Sequence, residues 1–204
     1  MTFSLLETMR LDAGRVVRLD GHVARAARSA AFFSYRWDEA AARAAIAAQA
    51  GAHPEGTWRM RLLVAADGAV RVECTPHEPG EPRRWRLALA AEPVDETDPF
   101  LANKTTRRDV YDRARASRPD ADDVILWNRR GEITETTIGN VVAEIDGVRV
   151  TPPVGAGLLP GVFREEVLGQ GLVQERTLTR DDLRAATQLW LINSVREWVP
   201  AELV

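Results

Sequence analysis

Lysine is almost absent from this sequence, because Lys104 is the one lysine among the 27 basic residues and all the others are arginine. A position that needs only positive charge would be expected to hold arginine in such a chain. An amine can lose its proton, whereas a guanidinium stays protonated at any ordinary pH. Lys104 is therefore either a chance survivor, on a solvated surface, of a bias toward arginine and alanine, or an amine that the chemistry requires.

Cysteine and histidine are scarce as well. The lone Cys74 excludes an internal disulfide. The three histidines, His22, His53 and His77, are scattered and do not have the spacing of metal ligands. The sequence therefore predicts neither a disulfide framework nor a metal site.

A strong excess of one charge and a long apolar run are also missing. The net charge is -3, with acidic and basic residues interspersed, which gives no basic face for nucleic acid or anionic lipid. The longest apolar stretches are too short or too rich in alanine to span a bilayer, and the N-terminus has no basic segment followed by an apolar core. Since 45% of the 204 residues are hydrophobic, the chain can bury a real core. We expect a cytoplasmic globular protein without nucleic-acid or membrane partners.

Hydrophobic patterning predicts strands and helices in the N-terminal half. "SLLETMRLD" and "RVVRLD" flank "AG", which indicates two strands joined by a tight turn. Apolar residues recur at helical spacing from residue 22 to 33, and Asp38 is a candidate cap for a second helix that stops at Gly51. Three further strands are predicted at residues 57–65, 69–75 and 84–92.

The acidic, proline-bearing stretch "EPVDETDPF" suits a crossing between two lobes, residues 1–98 and 99–204. Beyond it, the pattern predicts a helix at "RRDVYDRARA", strands at "DVILWN", "ITETTIG", "NVVAEID" and "VRVTPP", and a helix at "VFREEVLGQG". Another helix is predicted to begin at Thr179, with Asp182 near the reciprocal capping position. "QLWLINS" is predicted as a buried final strand, and the sum is an α+β protein of two lobes.

Two segments suggest anion binding. The glycine-rich "PVGAGLLPG" leads into a helix whose first amides, Val162 and Phe163, would attract phosphate. The simpler interpretation is a strand-to-helix connector capped by Gly161. Arg25 and Arg28 fall on one helix among small residues, so that either one could reach inward to an anion. The simpler interpretation is that both are solvated.

Glu135 lies inside a predicted strand. Strict alternation places Glu135 on the same side as Ile133 and Thr137, and a carboxylate that is half-buried in a sheet usually needs a cationic partner. The simpler interpretation is an exposed glutamate on a two-faced sheet.

Seven segments follow one another along nearly the whole chain: "LLETMR", "DGHVARAARSAAFF", "KTTRRDVYDRAR", "ILWNRRGEITETTIGNVV", "TPPVGAGLLPGVFR", "ERTLTRDDLRAA" and "LINSVREWVPA". As an ordered set they resemble the class IV aminotransferases, the fold-type IV enzymes that use pyridoxal 5'-phosphate. Within this family the chain is most similar to the 4-amino-4-deoxychorismate lyases. The resemblance implies a small N-terminal α/β lobe and a larger C-terminal lobe with a mixed, barrel-like β-sheet and helices.

The resemblance also implies a role for individual residues. Lys104 would bond covalently to the cofactor aldehyde, and Glu135 would face the pyridine nitrogen. An amine suits the first role because it becomes neutral during exchange with a substrate amine and can then move a proton, whereas arginine can do neither. The other implied contacts are Arg25, Val162, Phe163, Ser194 and Val195 for the cofactor phosphate, and Arg61 and Arg196 for the substrate.

By resemblance, the expected activity is elimination of pyruvate from aminodeoxychorismate to give 4-aminobenzoate, a folate precursor. The alternatives are an aminotransferase of the same fold for D- or branched-chain amino acids, and a family member kept as a binding or scaffold protein. Asp109 stands where branched-chain aminotransferases have a tyrosine, which favours the lyase, although Asn103 replaces a histidine that is common in similar lyases. The chain begins almost at "LLETMR", without the N-terminal segment that helps to build the substrate side in stand-alone relatives. The family further implies a homodimer.

Overall fold

A computed structural model describes residues 3–78, 80 and 83–204, and the chain forms two compact units. The first unit is Met1–Gly80 together with Asn103–Arg107, and the second is Glu81–Ala102 together with Arg108–Val204. The predicted α+β class is confirmed, because each unit is built around a β-sheet of its own. The division of the chain into residues 1–98 and 99–204 stays a proposal about domain organisation.

The first unit is a four-stranded antiparallel sheet in the order β2-β1-β3-β4, with helices packed on it. The side chains of Leu5, Met9 and Leu11 alternate along β1 into the buried core, where they meet Val23 and Ile46 from the helices. The elements are β1 (Leu5–Asp12), β2 (Arg15–Val16), α1 (Leu19–Phe33), α2 (Glu39–Ala52), β3 (Thr57–Val64) and β4 (Val70–Pro76).

Local signals in this unit correctly predicted the turn after β1 and the N-cap of α2. Ala13 and Gly14 join β1 to β2 with φ angles of 46° and 77°, the left-handed pair that a two-residue hairpin turn requires. Asp38 caps α2, since its Oδ1 accepts a hydrogen bond from the amide of Ala41 at 2.9 Å. The predicted helices are confirmed, although α1 begins three residues earlier than expected and α2 ends one residue later.

The second unit contains an eight-stranded mixed sheet. Its elements are β5 (Trp85–Leu89), α3 (Pro99–Ala102), α4 (Asp109–Ala116), β6 (Asp123–Trp127), β7 (Ile133–Thr136), β8 (Asn140–Ile145), β9 (Val148–Thr151), a 3-10 turn (Val154–Ala156), α5 (Val162–Gly169), β10 (Gln174–Glu175), α6 (Arg180–Ala185), β11 (Gln188–Asn193) and β12 (Glu197–Leu203). The strand order is β10-β9-β8-β11-β12-β5-β6-β7, and an additional pairing of β7 with β8 closes part of the sheet into a ring. The closed ring accounts for the barrel-like character that the resemblance implied.

The predicted capping box of α6 is confirmed. The amide of Thr179 donates to Asp182 Oδ2 at 2.8 Å, and the amide of Asp182 donates back to Thr179 Oγ1 at 3.3 Å. Both groups belong to the first turn of the helix, where amides have no acceptor within the helix.

The prediction that "QLWLINS" is the final strand is wrong, because β12 follows β11 and lies between β11 and β5. Pro200 stands inside β12, and a proline argues against a central strand because it cannot donate a ladder hydrogen bond. The pairing with β5 begins only at Ala201, and on the other side Pro200 lies opposite Trp190. The proline is therefore tolerated at a position where β12 is paired with β11 on one side and not yet with β5 on the other.

Across the residues that the structure describes, no helix combines the length and the apolar character needed to cross a membrane. Within the same residues, no group of three or more histidine, cysteine, aspartate and glutamate side chains is arranged to hold a metal ion.

Candidate active site

The backbone of Lys104 is held against the first strand of the first unit. The amide of Leu6 donates to the carbonyl of Lys104 at 3.0 Å, and Leu5 and Thr105 form an isolated antiparallel bridge. Two further hydrogen bonds of 2.9 Å join Ser4 and Thr106. Lys104 is half-buried. The position of Lys104 in the fold is thus fixed by backbone pairing with β1. A chance lysine on a solvated loop would need no such pairing.

A buried ionic cluster lies under α1 in the same unit. Glu7 shares the core-facing side of β1 with Leu5 and Met9 and is 2% exposed. Arg25 is 4% exposed and donates to both carboxylate oxygens, from Nε at 2.9 Å and from Nη2 at 2.6 Å. His22, one helical turn earlier, places Nδ1 2.7 Å from Glu7 Oε2. Arg25 is therefore not a solvated arginine, whereas Arg28 is exposed.

The electrostatics of this cluster follow from burial and pairing. Burial alone would raise the pKa of the Glu7 carboxyl, but the charge of Arg25 and the hydrogen bonds from Arg25 and His22 outweigh it and hold the pKa at about 2. Burial lowers the pKa of His22, against the opposing effect of Glu7, and the charges of Arg25 and Lys104 lower it further. His22 is thus neutral at pH 7 and donates from Nδ1, while its Nε2 atom has no hydrogen-bond partner in the part of the chain described.

Arg61 lies on β3 of the same sheet. Met60 and Leu62 beside it point into the core, so the alternation of the strand directs Arg61 to the face away from the helices. Its Nη1 is 3.6 Å from Oε2 of Glu73 on the neighbouring strand β4. The substrate role of Arg61 stays a prediction that must account for this acidic neighbour.

Glu135 lies in the second unit at a register shift. On β6, Ile125 and Trp127 are two residues apart, but their partners on β7, Thr136 and Ile133, are three apart. The extra residue is the signature of a β-bulge, which redirects the side chains beyond it. Strict alternation predicted that Glu135 shares a face with Ile133. Because of the register shift, it does not.

The redirected carboxylate of Glu135 is 3% exposed, and two neutral side chains are among the groups that it contacts. The hydroxyl of Tyr111, from α4, donates to Oε1 at 2.8 Å, and Nδ2 of Asn140 is 3.5 Å from Oε2. Burial and the adjacent Glu135 charge raise the pKa of Tyr111 well above its usual value, so the phenol remains a donor.

Asn140 also joins Glu135 to the glycine-rich loop. Its Nδ2 atom donates to the carbonyl of Leu159 at 3.0 Å, and a Cβ at Gly161 would lie 2.1 Å from Oδ1 of Asn140. Gly161 is the N-cap of α5, and as a glycine it has no side chain that could cap the first turn. The amides of Val162 and Phe163 lie in that turn, at the partial positive end of the helix. The structure therefore brings Glu135 and this helix start together through one asparagine.

Replacing Gly161 by alanine is expected to lower the free energy of unfolding by about 1–3 kcal/mol, because the new methyl group overlaps the buried Asn140 side chain. The φ and ψ angles of Gly161, -69° and 133°, suit any residue, so the cost comes from this contact and not from backbone strain. Urea unfolding measures it. Gly169→Ala at the other end of α5 is the matched control, because nothing lies within 4 Å of its added Cβ.

A double-mutant cycle separates the Asn140 contact from other causes. In an Asn140→Ala background, Gly161→Ala should change the stability by no more than about 0.5 kcal/mol. An equal loss in both backgrounds would contradict the role assigned to Asn140.

Ser194 and Val195 form a turn between β11 and β12. The side chain of Asn193 organises it, since its Oδ1 accepts from the amides of Val195 and Arg196 at 3.0 and 2.9 Å. Ser194 is 8% exposed, and the Arg196 guanidinium lies 5.4 Å from the centre of the Trp85 ring. The cofactor roles of Ser194 and Val195 and the substrate role of Arg196 remain predictions.

Sequence reasoning missed several supporting residues, among them Glu7, Tyr111 and Asn193. For Glu7 a signal was available, because it interrupts an alternating apolar face between Leu5 and Met9. For Tyr111 and Asn193 the pattern held no signal, since their contacts depend on elements that are distant in the chain or on the exact turn.

Comparison with known proteins gives consistent matches. The family model for amino-transferase class IV matches residues 4–204. A protein of Schizosaccharomyces pombe, provisionally named aminodeoxychorismate lyase, is 32% identical over 207 residues, which cover 95% of this chain and 87% of that protein. The crystal structure of a provisionally named amino-acid aminotransferase from Mesorhizobium loti has a TM-score of 0.93 at 39% identity, covering 99% of this chain and 100% of the other.

A provisionally named 4-amino-4-deoxychorismate lyase from Legionella pneumophila shares the fold, with a TM-score of 0.87 at 20% identity over 98% of this chain and 82% of that one. Both solved structures match 98% or more of this chain. Because the family model accounts for the chain from residue 4 to its last residue, this protein belongs to the class IV aminotransferase family.

Proposed function

We propose that this protein is a pyridoxal phosphate-dependent lyase that removes pyruvate from 4-amino-4-deoxychorismate and leaves 4-aminobenzoate. The position of Lys104 carries the proposal, since the chain's only lysine is half-buried, paired to β1 and close enough for its charge to act on His22. Similarity to the fission yeast protein over 95% of the chain supports the choice of the lyase, as does Asp109 in place of a tyrosine.

The residues present fit this cofactor. Lys104 supplies a primary amine, and Arg25 is a buried arginine whose orientation Glu7 determines. Glu135 supplies a buried carboxylate, and Gly161 begins a helix at a point where an added Cβ would overlap Asn140. An amine can bond to the cofactor aldehyde, and a carboxylate can pair with its pyridine nitrogen. A guanidinium and helix amides can bind its phosphate.

When bound, pyridoxal phosphate supplies an electron sink for the carbon that bears the substrate nitrogen. Lys104 would hold the cofactor through its amine and, once the substrate amine has taken its place, would remove the proton from that carbon. The electron pair of the broken C–H bond would expel the neighbouring enolpyruvyl oxygen as the substrate ring becomes aromatic, and the departing enolpyruvate would take up a proton to give pyruvate. Glu135 would keep a proton on the pyridine nitrogen, and Arg25 and the amides of Val162 and Phe163 would bind the phosphate.

An aminotransferase that acts on D- or branched-chain amino acids is the second candidate. The observation that favours it is the 39% identity with the Mesorhizobium loti protein, which is provisionally named an amino-acid aminotransferase. Lys104 and Glu135 serve both reactions equally, because the two differ only after the first proton has been removed.

One purified, cofactor-loaded sample distinguishes the candidates. With aminodeoxychorismate we expect 4-aminobenzoate and pyruvate in equal amounts, and with D-alanine or L-leucine plus 2-oxoglutarate we expect no new oxo acid. Turnover of only the second mixture would replace the lyase by the aminotransferase. Bound cofactor with neither reaction would indicate a binding protein.

The proposal includes a cytoplasmic location and a homodimer, the homodimer on the strength of the family resemblance. Light scattering of the eluting peak in size-exclusion chromatography tests the dimer, for which a mass near twice 22.6 kDa is expected.

A further inference from the structure

Tyr111 is the one side chain of α4 that reaches the Glu135 carboxylate among the described hydrogen bonds, and its hydroxyl oxygen lies 2.8 Å from Oε1. The tyrosine is 8% exposed and the carboxylate is 3% exposed. A hydrogen bond to an ionised group in such an enclosed place is strong, and its loss removes a charge-assisted contact from a buried carboxylate.

The ring of Tyr111 is held from two sides. It packs in a cluster with Val94, Leu101 and Leu126. The Arg108 guanidinium, one helical turn earlier, stands 4.7 Å from the ring centre, and its Nη2 donates to the carbonyl of Thr137 at 2.6 Å. The hydroxyl is therefore presented to Glu135 by a rigid support, and the same arginine connects α4 to the chain segment that follows β7.

The donor role of Tyr111 is unambiguous. Burial, followed by the charge and the hydrogen bond of Glu135, raises the pKa of the phenol well above its usual value. Tyr111 therefore keeps its proton throughout the working pH range, and a neutral donor stabilises the ionised form of the acceptor that it contacts.

We propose that Tyr111 is a positioning residue for Glu135, which orients the carboxylate at the register shift of β7 and keeps it ionised toward the pyridine nitrogen of the cofactor. The inference rests on the proposed function, since it gives Glu135 the role that the family resemblance implies. An ionised carboxylate holds a proton on the ring nitrogen, whereas a protonated carboxyl group does not. A wholly structural tyrosine would instead affect stability alone.

Tyr111→Phe tests the inference, with Tyr35→Phe as matched control. These are the two tyrosines of the chain, and Tyr35 also donates one hydrogen bond of 2.8 Å, to the carbonyl of Phe3. The readout is the ratio of the dissociation constants for 1-deazapyridoxal phosphate, which has CH in place of the ring nitrogen, and for pyridoxal phosphate.

Wild type and Tyr35→Phe should both prefer pyridoxal phosphate. Tyr111→Phe should reduce that preference by about tenfold, which corresponds to the loss of one hydrogen bond to a charged group. It should also lower kcat with little change in KM. An unchanged preference, with only the melting temperature reduced, would overturn the inference.

A measurement without cofactor keeps the two proposals apart. In Tyr35→Phe, Tyr111 is the single tyrosine, so ultraviolet absorbance follows its ionisation alone. It should remain un-ionised at pH 10 in the folded protein, and adding Glu135→Gln should bring its ionisation to lower pH. If neither cofactor binds to wild type but this titration behaves as expected, the proposed function fails and the Tyr111–Glu135 contact stands; ordinary ionisation near pH 10 would overturn the contact itself.

Discussion

Lys104→Arg should abolish turnover, with a loss of at least about a thousandfold, while leaving the fold intact. Arginine preserves the positive charge and nearly the length of the side chain, but its guanidinium stays protonated and cannot condense with an aldehyde. After borohydride reduction of the cofactor-loaded protein, mass spectrometry should find the added mass on the peptide that contains Lys104, and the variant should show none.

A nearby arginine, Arg107, supplies a control for the position of the amine. Arg107→Lys adds a second lysine three residues along the chain, at an exposed site. If the geometry of Lys104 matters, the label should stay on Lys104 in this variant and be absent from the combined Lys104→Arg, Arg107→Lys protein. Labelling of the combined protein would mean that any nearby lysine suffices, and the argument from the pairing with β1 would fail.

Glu7→Gln is expected to lower the free energy of unfolding by about 3–5 kcal/mol, the cost of leaving a buried partner uncompensated. The replacement keeps the shape of the side chain but removes the negative charge that faces Arg25. It also turns an amide group toward the guanidinium or His22. Chemical denaturation at neutral pH measures the loss.

The matched control for Glu7 lies on the same sheet. Glu73 on β4 pairs with Arg61 and Arg71, but its side chain is 30% exposed. Because exposed ion pairs contribute little, Glu73→Gln should change the stability by no more than about 1 kcal/mol. Equal effects of the two substitutions would contradict the importance of the buried cluster.

The acid limb of the stability curve provides an independent check on Glu7. The pKa of the Glu7 carboxyl is about 2 in the folded chain, against an ordinary value of 4.5. On acidification the Glu7 carboxylate therefore binds a proton at a lower pH in the folded state than in the unfolded state. This stabilisation is present above pH 4.5 and is lost as the pH falls toward 2. The lost part is about 3 kcal/mol, and this step should be missing from Glu7→Gln.

The elements that sequence predicts well are those whose signals are local. The left-handed turn at Ala13 and Gly14, the cap at Asp38 and the reciprocal box of Thr179 and Asp182 each depend on residues within a few positions of one another. Lys104 stands out for a different reason, because its scarcity in the chain does not depend on the fold at all.

The elements that escaped prediction depend on distant neighbours. The strand around Pro200 is possible because its partner on one side begins one residue later, at Ala201, which no local pattern encodes. The direction of Glu135 depends on a register shift against β6, and strict alternation assumes that no such shift exists. Tyr111 reaches Glu135 across 24 positions of sequence. Each case required the pairing of strands or the packing of a helix to be known first.

The closure of the ring has a consequence for how this chain tolerates change. β7 and β8 join through a single residue pair, Glu135 and Asn140, whereas β8 and β11 pair over five. The pairing that closes the ring thus consists of the carboxylate proposed to face the cofactor and the asparagine that contacts it. A substitution at either position would weaken this pairing, and under the proposed function it would also disturb the group that faces the pyridine nitrogen.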